Sequence, residues 1–206
     1  MTKKIITTFL ILASLTLYSQ NNKHLRLYAN MGVQINQLNS NFNTDLATNY
    51  SFQIGAGSSY KLKQFVVGTE FYNSKGTTEN NNNKIDSQEF TSIIYFGYDF
   101  LKCTNAALEP TLGISFSNKQ SILYDYQNQK SLVYKINQLG ITPALTYTKF
   151  NSLGVSIGFK IGCNYTLNNN NWNKGIDDTK TNNAINKFTP FIQLNIGGKI
   201  KLFKNK

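Results

Sequence analysis

The sequence is poor in the residues that most often carry chemistry: of 206 residues, one is histidine, one tryptophan, one arginine and two cysteine. The single histidine, His24, sits beside the expected start of the first strand, too near the mature terminus to anchor a pocket. Histidine-based triads and multi-histidine metal sites are therefore not available. No convincing nucleophile and base pair elsewhere, so no catalytic residue, cofactor or metal is expected, and a lipid-modifying membrane enzyme is disfavoured. After residue 20 no apolar run reaches the about 20 residues that a spanning helix needs. Acidic residues are also few, 10 against 21 Lys and Arg, which gives a formal charge of +11. A basic excess raises nucleic acid as a partner, yet its only arginine is Arg26 and the lysines are scattered singly. Nucleic-acid surfaces concentrate such charges on one face, so no nucleic-acid partner is expected.

What is present begins with Lys3 and Lys4, an apolar run from Ile5 to Tyr18, and Ser19-Gln20 before polar Asn21. This reads as a secretory leader over 1–20. Its end carries no cysteine, which gives no support to a lipoprotein anchor. The remainder, 21–206, reads as one domain.

Eight segments then alternate apolar with small or polar residues at period two. The expected strands are 25–35, 50–62, 65–72, 90–100, 108–116, 139–147, 153–165 and 188–202. One face carries residues such as Phe52, Ile54, Phe96, Ile114, Leu145, Phe159 and Ile196; the other is rich in Gly, Ser, Thr, Asn and Gln. Most run near the about 9 to 11 residues of a tilted membrane strand. A lipocalin-like soluble barrel would bury the apolar face, but an eight-stranded barrel has little interior room, and small residues fit that room. The alternation thus predicts an all-β fold, an eight-stranded antiparallel up-and-down transmembrane β-barrel. Connections 37–49, 73–88, 117–131 and 166–187 are long, whereas 63–64, 101–106 and 148–152 are short. Outer-membrane barrels place short turns in the periplasm, so both termini are expected there.

The chain resembles the small OmpA and OmpX-type outer-membrane barrels, and in texture the PorT-like barrels of Bacteroidota. The resemblance rests on the leader ending Tyr18-Ser19-Gln20, on Pro110-Thr111-Leu112-Gly113-Ile114-Ser115 and Gly140-Ile141-Thr142-Pro143, and on the closing Ile196-Gly197-Gly198-Lys199-Ile200-Lys201-Leu202-Phe203. It departs from many such barrels in continuing to Lys204-Asn205-Lys206 after the terminal aromatic. Pro110, Pro143 and Pro190 all fall on the lipid-facing parity, where each removes one ladder donor.

The inward charges divide by wall. Glu70, Asp99 and Glu109 belong to strands three to five, and Arg26, Lys160 and Lys199 to strands one, seven and eight. Buried charges are costly unless paired, so these six are expected to form an interior charge network across the lumen, and a packed interior is favoured over a narrow pore. Lys23, Lys61, Lys63, Lys102, Lys149, Lys201, Lys204 and Lys206 gather toward the periplasmic rim, where anionic head groups would attract them. Asp177 and Asp178, near Asn171, Asn173 and Gly175, lack the alternation of a calcium loop and read as a solvated turn. Cys103 and Cys163 fall toward opposite ends of the barrel, so no bridge between them is expected.

The third long connection is the most informative functional region. Ile122, Tyr124 and Tyr126 alternate, as do Leu132, Tyr134 and Ile136, around a polar turn at 127–130. This predicts a β-ribbon continuing strands five and six above the membrane, suited to partner binding by strand addition. Its partner-binding candidates are Ile122, Tyr124, Tyr126 and Tyr134, with Trp172 of the fourth long connection. The expected function is a monomeric, non-enzymatic barrel of the cell outer membrane. It contacts membrane lipids, and through its loops a surface ligand or an envelope protein, in adhesion or envelope interaction. The PorT-like resemblance implies the alternative, an accessory of a secretion or envelope-assembly system.

Overall fold

The computed structural model describes residues 23–37, 48–79, 81–101, 103–127, 129–168, 172–175, 179–180 and 187–201. The leader, Lys102, Asp177, Asp178, Lys204 and Lys206 lie outside the described residues. The strands are β1 (Lys23–Gln37), β2 (Thr48–Leu62), β3 (Phe65–Glu79), β4 (Asn83–Tyr98), β5 (Ala106–Asp125), β6 (Lys130–Phe150), β7 (Val155–Thr166), β8 (Asn173–Lys174), β9 (Thr179–Lys180) and β10 (Phe188–Lys201). Each long strand pairs antiparallel with its neighbours, β1 with both β2 and β10. Pairing of β5 with β6 completes the ring, so β1 to β7 and β10 form a closed eight-stranded barrel. The two-residue strands β8 and β9 extend from the upper part of β6.

The side chains divide as period-two alternation requires. On β7, Val155, Ile157, Phe159 and Ile161 are exposed while Ser156, Gly158 and Lys160 are buried. The same outward apolar parity recurs in Phe52 and Ile54 of β2, Ile94 and Phe96 of β4, Leu112 and Ile114 of β5, and Ile192 and Ile196 of β10. The result is inside-out relative to a water-soluble barrel: an aromatic and aliphatic belt outside, and within it a mostly polar filling that also holds one buried cluster of Val66, Tyr72, Ile93 and Tyr95.

Four strands, β3 to β6, run far past the bounds that the alternation indicates, to Glu79, Asn83, Asp125 and Lys130. β3 and β4 stay paired from Lys75↔Gln88 to Glu79↔Lys84, so the expected connection 73–88 shrinks to a turn. β5 and β6 pair from Ala106↔Lys149 to Asp125↔Lys130, past the 108–116 and 139–147 expected for them. Above the belt, residues 74–88 are polar on both faces apart from Ile85. The hydrophobic period disappears there although backbone pairing continues, and that pairing depends on partners the local pattern does not record. The expected two-stranded ribbon is consequently a four-stranded sheet, with β3 and β4 joined to β5 and β6.

The prolines fit the ladders at gaps. Pro110 and Pro190 each lie one residue beyond the last rung on one side, after Gly97↔Thr111 and Gln34↔Phe191. Pro143 still pairs with Leu112, and the β6–β7 ladder skips Thr142 and Pro143 before resuming in the same register at Ala144↔Gly162. A missing donor is tolerated where no rung requires it.

Candidate functional site: a packed lumen beneath a protruding sheet

The lumen is built in layers from inward positions on opposite walls. Lowest, Lys61 of β2 pairs with Asp99, which also accepts the backbone N–H groups of Leu101 and Leu108 at 3.0 and 3.1 Å. Lys61, expected at the rim, is therefore buried, because Asp99 at the end of the neighbouring wall gives its ammonium a partner. Lys199 donates to the Thr104 carbonyl at 2.8 Å and lies 4.6 Å from the Phe150 ring centroid. His24 packs edge-on against the same ring, with centroids 6.3 Å apart.

One layer up, Arg26 of β1 forms a two-pronged bond to Glu109 of β5, with Nη1 2.9 Å from Oε2. Next, Lys160 of β7 donates to Glu70 of β3 at 2.5 Å, and the Tyr28 hydroxyl donates to the other Glu70 oxygen at 2.8 Å. The Tyr28 and Tyr95 hydroxyls lie 2.8 Å apart. Room for those two rings comes from glycine: a Cβ at Gly57 would meet the Tyr28 ring at 2.5 Å, and one at Gly68 the Tyr95 ring at 2.5 Å. Between the two ion pairs the remaining cavity is about 20 Å³, space for one water. Of the six expected network charges, Arg26–Glu109 and Lys160–Glu70 are brought together across the barrel, while Asp99 takes Lys61 from its own side.

The upper lumen holds a second polar group that sequence reasoning missed. Gln34 donates to Ser74 at 3.0 Å and to Glu89 at 2.9 Å, and Lys119 donates to Asn36 at 2.9 Å with Glu89 at 4.0 Å. Glu89 and Lys119 fall outside the expected strands, and their inward parity becomes visible only once β4 and β5 are extended.

Above this layer the inner face of the protruding sheet turns apolar. Ile85, Leu123, Tyr134, Ile136 and Trp172 form one cluster, with Leu132 against it. Tyr134 and Trp172 are only 6% and 4% exposed and meet edge-on, centroids 6.4 Å apart. These two partner-binding candidates are thus internal. The reason is register: Ser121↔Tyr134 and Leu123↔Leu132 put Tyr134 on the inward face, while Ile122↔Val133 puts Ile122 outward. Burial raises the Tyr134 phenol above its ordinary pKa. Tyr126, at the tip, is exposed and donates to Glu79 at 2.8 Å, and that bond holds its phenol above the usual range. Tyr124 is half-buried, with the Lys84 ammonium 5.5 Å from its ring centroid.

The outer face of the sheet consists of cross-strand rows. Lys75, Gln88, Gln120 and Lys135 form the row nearest the belt, then Thr77, Asp86, Ile122 and Val133, then Glu79, Lys84, Tyr124 and Ser131. Asp86 accepts from Thr77 at 2.8 Å and from Lys84 at 3.1 Å, which holds the Lys84 ammonium above its ordinary pKa.

Three solved structures share this architecture. A major outer membrane protein from Thermus thermophilus aligns with TM-score 0.59 at 9% identity, covering 85% of this chain and 99% of that one. Ail, the attachment invasion locus protein of Yersinia pestis, aligns with TM-score 0.54 at 8% identity, covering 88% and 100%. The fold is that of the small outer-membrane β-barrels. Ail in complex with the heparin analogue sucrose octasulfate aligns at 0.52 with 8% identity, covering 87% and 99%. At such identities the likeness is one of fold. No protein-family model and no curated protein sequence matches the chain.

Proposed function

We propose that the chain is a monomeric, non-enzymatic barrel integral to the outer membrane. In this reading both termini lie in the periplasm, and the sheet formed by the upper parts of β3 to β6 contacts a surface ligand or an envelope protein. The observation that carries it is the continuation of four strands past the apolar belt as one sheet, braced from within by the Ile85, Leu123, Tyr134, Ile136 and Trp172 cluster. A braced sheet holds its tip in a fixed shape, so binding loses less conformational entropy there than at a free loop. The apolar outer belt supports the membrane location, because only such a surface is stable against hydrocarbon. The filled lumen supports a scaffold over a pore, and the fold shared with an attachment protein supports the surface role. The PorT-like texture supports a competing reading, in a Bacteroidota cell, as an accessory of secretion or envelope assembly.

Tip variants separate the two. Tyr124→Ala with Tyr126→Ala alters the outward tip without touching the internal cluster, and exchanging 121–134 for Asn-Gly joins Gln120 to Lys135, which are already paired. Loss of cell adhesion with normal protein export supports the contact reading. Lost export with unchanged adhesion overturns it in favour of the accessory role.

A further inference from the structure

We infer that the fourth long connection is a strap closing the free edge of β6, and that an extended segment of a partner protein, aromatic on its inward side and acidic on its outward side, binds the protruding sheet by taking the strap's place. The inference rests on the contact reading above and assigns it an edge, a partner class and a competitor.

β7 leaves the sheet early. Its ladder with β6 ends at Gly140↔Thr166, while β6 continues to Lys130 against β5. The backbone groups of Val133, Lys135, Asn137 and Leu139 on the side away from β5 form a sheet edge there, the template on which a further strand adds. The connection meets them one at a time. Leu167 donates its N–H to the Leu139 carbonyl at 2.8 Å, and the Asn168 amide accepts from the Leu139 N–H and donates to the Asn137 carbonyl, each at 3.0 Å. Asn173 and Lys174 pair with Lys135 and Tyr134, and the Gly175 N–H donates to the Val133 carbonyl at 2.9 Å.

The strap imitates a strand without being a continuous one. Between the rungs Gly140↔Thr166 and Lys135↔Asn173 there are five steps along β6 but seven along the connection, so the register slips by two. At the slip an asparagine side chain stands in for backbone. Extra residues of this kind interrupt a ladder, whereas a segment in unbroken register supplies its bonds from one run of backbone. A continuous strand is therefore the better occupant of this edge.

Parity fixes what such a strand must carry. The register of the strap sets Trp172 opposite Ile136 on the inner face, where it is 4% exposed and meets Tyr134 edge-on. A replacement needs a bulky aromatic side chain at that position, since side chains alternate between pockets and solvent along an added strand. On the outer face Asn173 stands beside exposed Lys135, so an acidic side chain there gains a cross-strand ion pair.

The probe is a fluorescein-labelled peptide copying residues 167–175 with Asn173→Asp, and its binding to the full chain in nanodiscs of phosphatidylethanolamine and phosphatidylglycerol is read by fluorescence anisotropy. Asn168→Ala with Trp172→Ala in the chain releases the strap, and heat-modifiable migration checks the barrel of every variant. The released variant is expected to bind the peptide about tenfold more tightly than wild type, the effect of removing a competitor held by a few hydrogen bonds. The bound peptide is expected to restore its resistance to proteolysis near Tyr126. Adding Lys135→Pro removes an edge-facing N–H while leaving the β5 side of the strand intact, and is expected to weaken binding about tenfold. A peptide with Trp172→Ala is expected to bind about tenfold more weakly, and one that keeps Asn173 about threefold more weakly. Equal binding by wild type and the released variant overturns the strap. Binding indifferent to Lys135→Pro overturns the edge, and binding indifferent to the peptide's aromatic or acidic residue overturns the partner class. Any of these results, with adhesion still dependent on Tyr124 and Tyr126, removes this inference alone; adhesion indifferent to both tyrosines removes the contact reading itself.

Discussion

Lys160 and Glu70, 90 residues apart in sequence, face each other across the barrel with the ammonium 2.5 Å from the carboxylate. Both are buried, at 2% and 1% exposure, and Tyr28 occupies the second carboxylate oxygen. A pair so enclosed matters less for its net attraction than for what remains when one member is removed. Lys160→Met is expected to cost about 3 to 5 kcal/mol, since it strands the Glu70 charge. Adding Glu70→Gln is expected to recover most of that loss. Urea titration of heat-modifiable migration in lipid checks both, and equal stabilities for the single and double variants would refute the argument.

The Arg26–Glu109 and Lys160–Glu70 pairs, with the two tyrosines between them, leave about 20 Å³ of free space. That admits a water molecule and no continuous file of hydrated ions. Planar-bilayer recordings of the wild type are expected to lack large, stable conductance steps. Glu109→Ala with Arg26→Ala removes a two-pronged cross-lumen contact, and any conductance should arise first in that variant.

Trp172 is the sole tryptophan, so its fluorescence reports on the apolar cluster alone. Blue-shifted emission and weak acrylamide quenching are expected. Trp172→Ala removes a buried indole, a change that costs about 3 to 5 kcal/mol in a well-packed site. Because this cluster lies above the belt, the loss should appear as faster proteolysis near Tyr126 and Gln127, with barrel migration on gels unchanged.

Cys103 is exposed beside the lower turn, and Cys163 is half-buried on the lipid-facing side of β7; both are free. In a Cys163→Ala background, a membrane-impermeant maleimide is expected to label Cys103 only after the outer membrane is permeabilised. A cysteine placed at Tyr126 should react in intact cells. The reverse pattern would invert the orientation proposed for the barrel.

Legibility in the sequence follows burial on one face. Leu153 to Tyr165 could be read as a strand because lipid and lumen impose opposite demands on successive residues, and β7 occupies Val155–Thr166, close to that reading. Gln88 and Glu89 could not, because at their height both faces are polar, Glu89 meeting Gln34 and Lys119 inside, and the period fades. Glycine at Gly57 and Gly68 was legible as a small residue within a strand. That each makes room for a particular tyrosine ring was not, since Tyr28 and Tyr95 reach them from neighbouring strands.

The sequence by itself determined the number of long strands, the antiparallel order, and which face is apolar, because a period of two is a local property of each strand. Only the tertiary structure decided which charge meets which. Lys61 and Asp99 became a pair, Lys160 found Glu70 from the opposite wall, and Tyr134 and Trp172 turned inward where contact residues had been expected. Those outcomes depend on register and closure, which bring together residues whose separation along the chain holds no record of their separation in space.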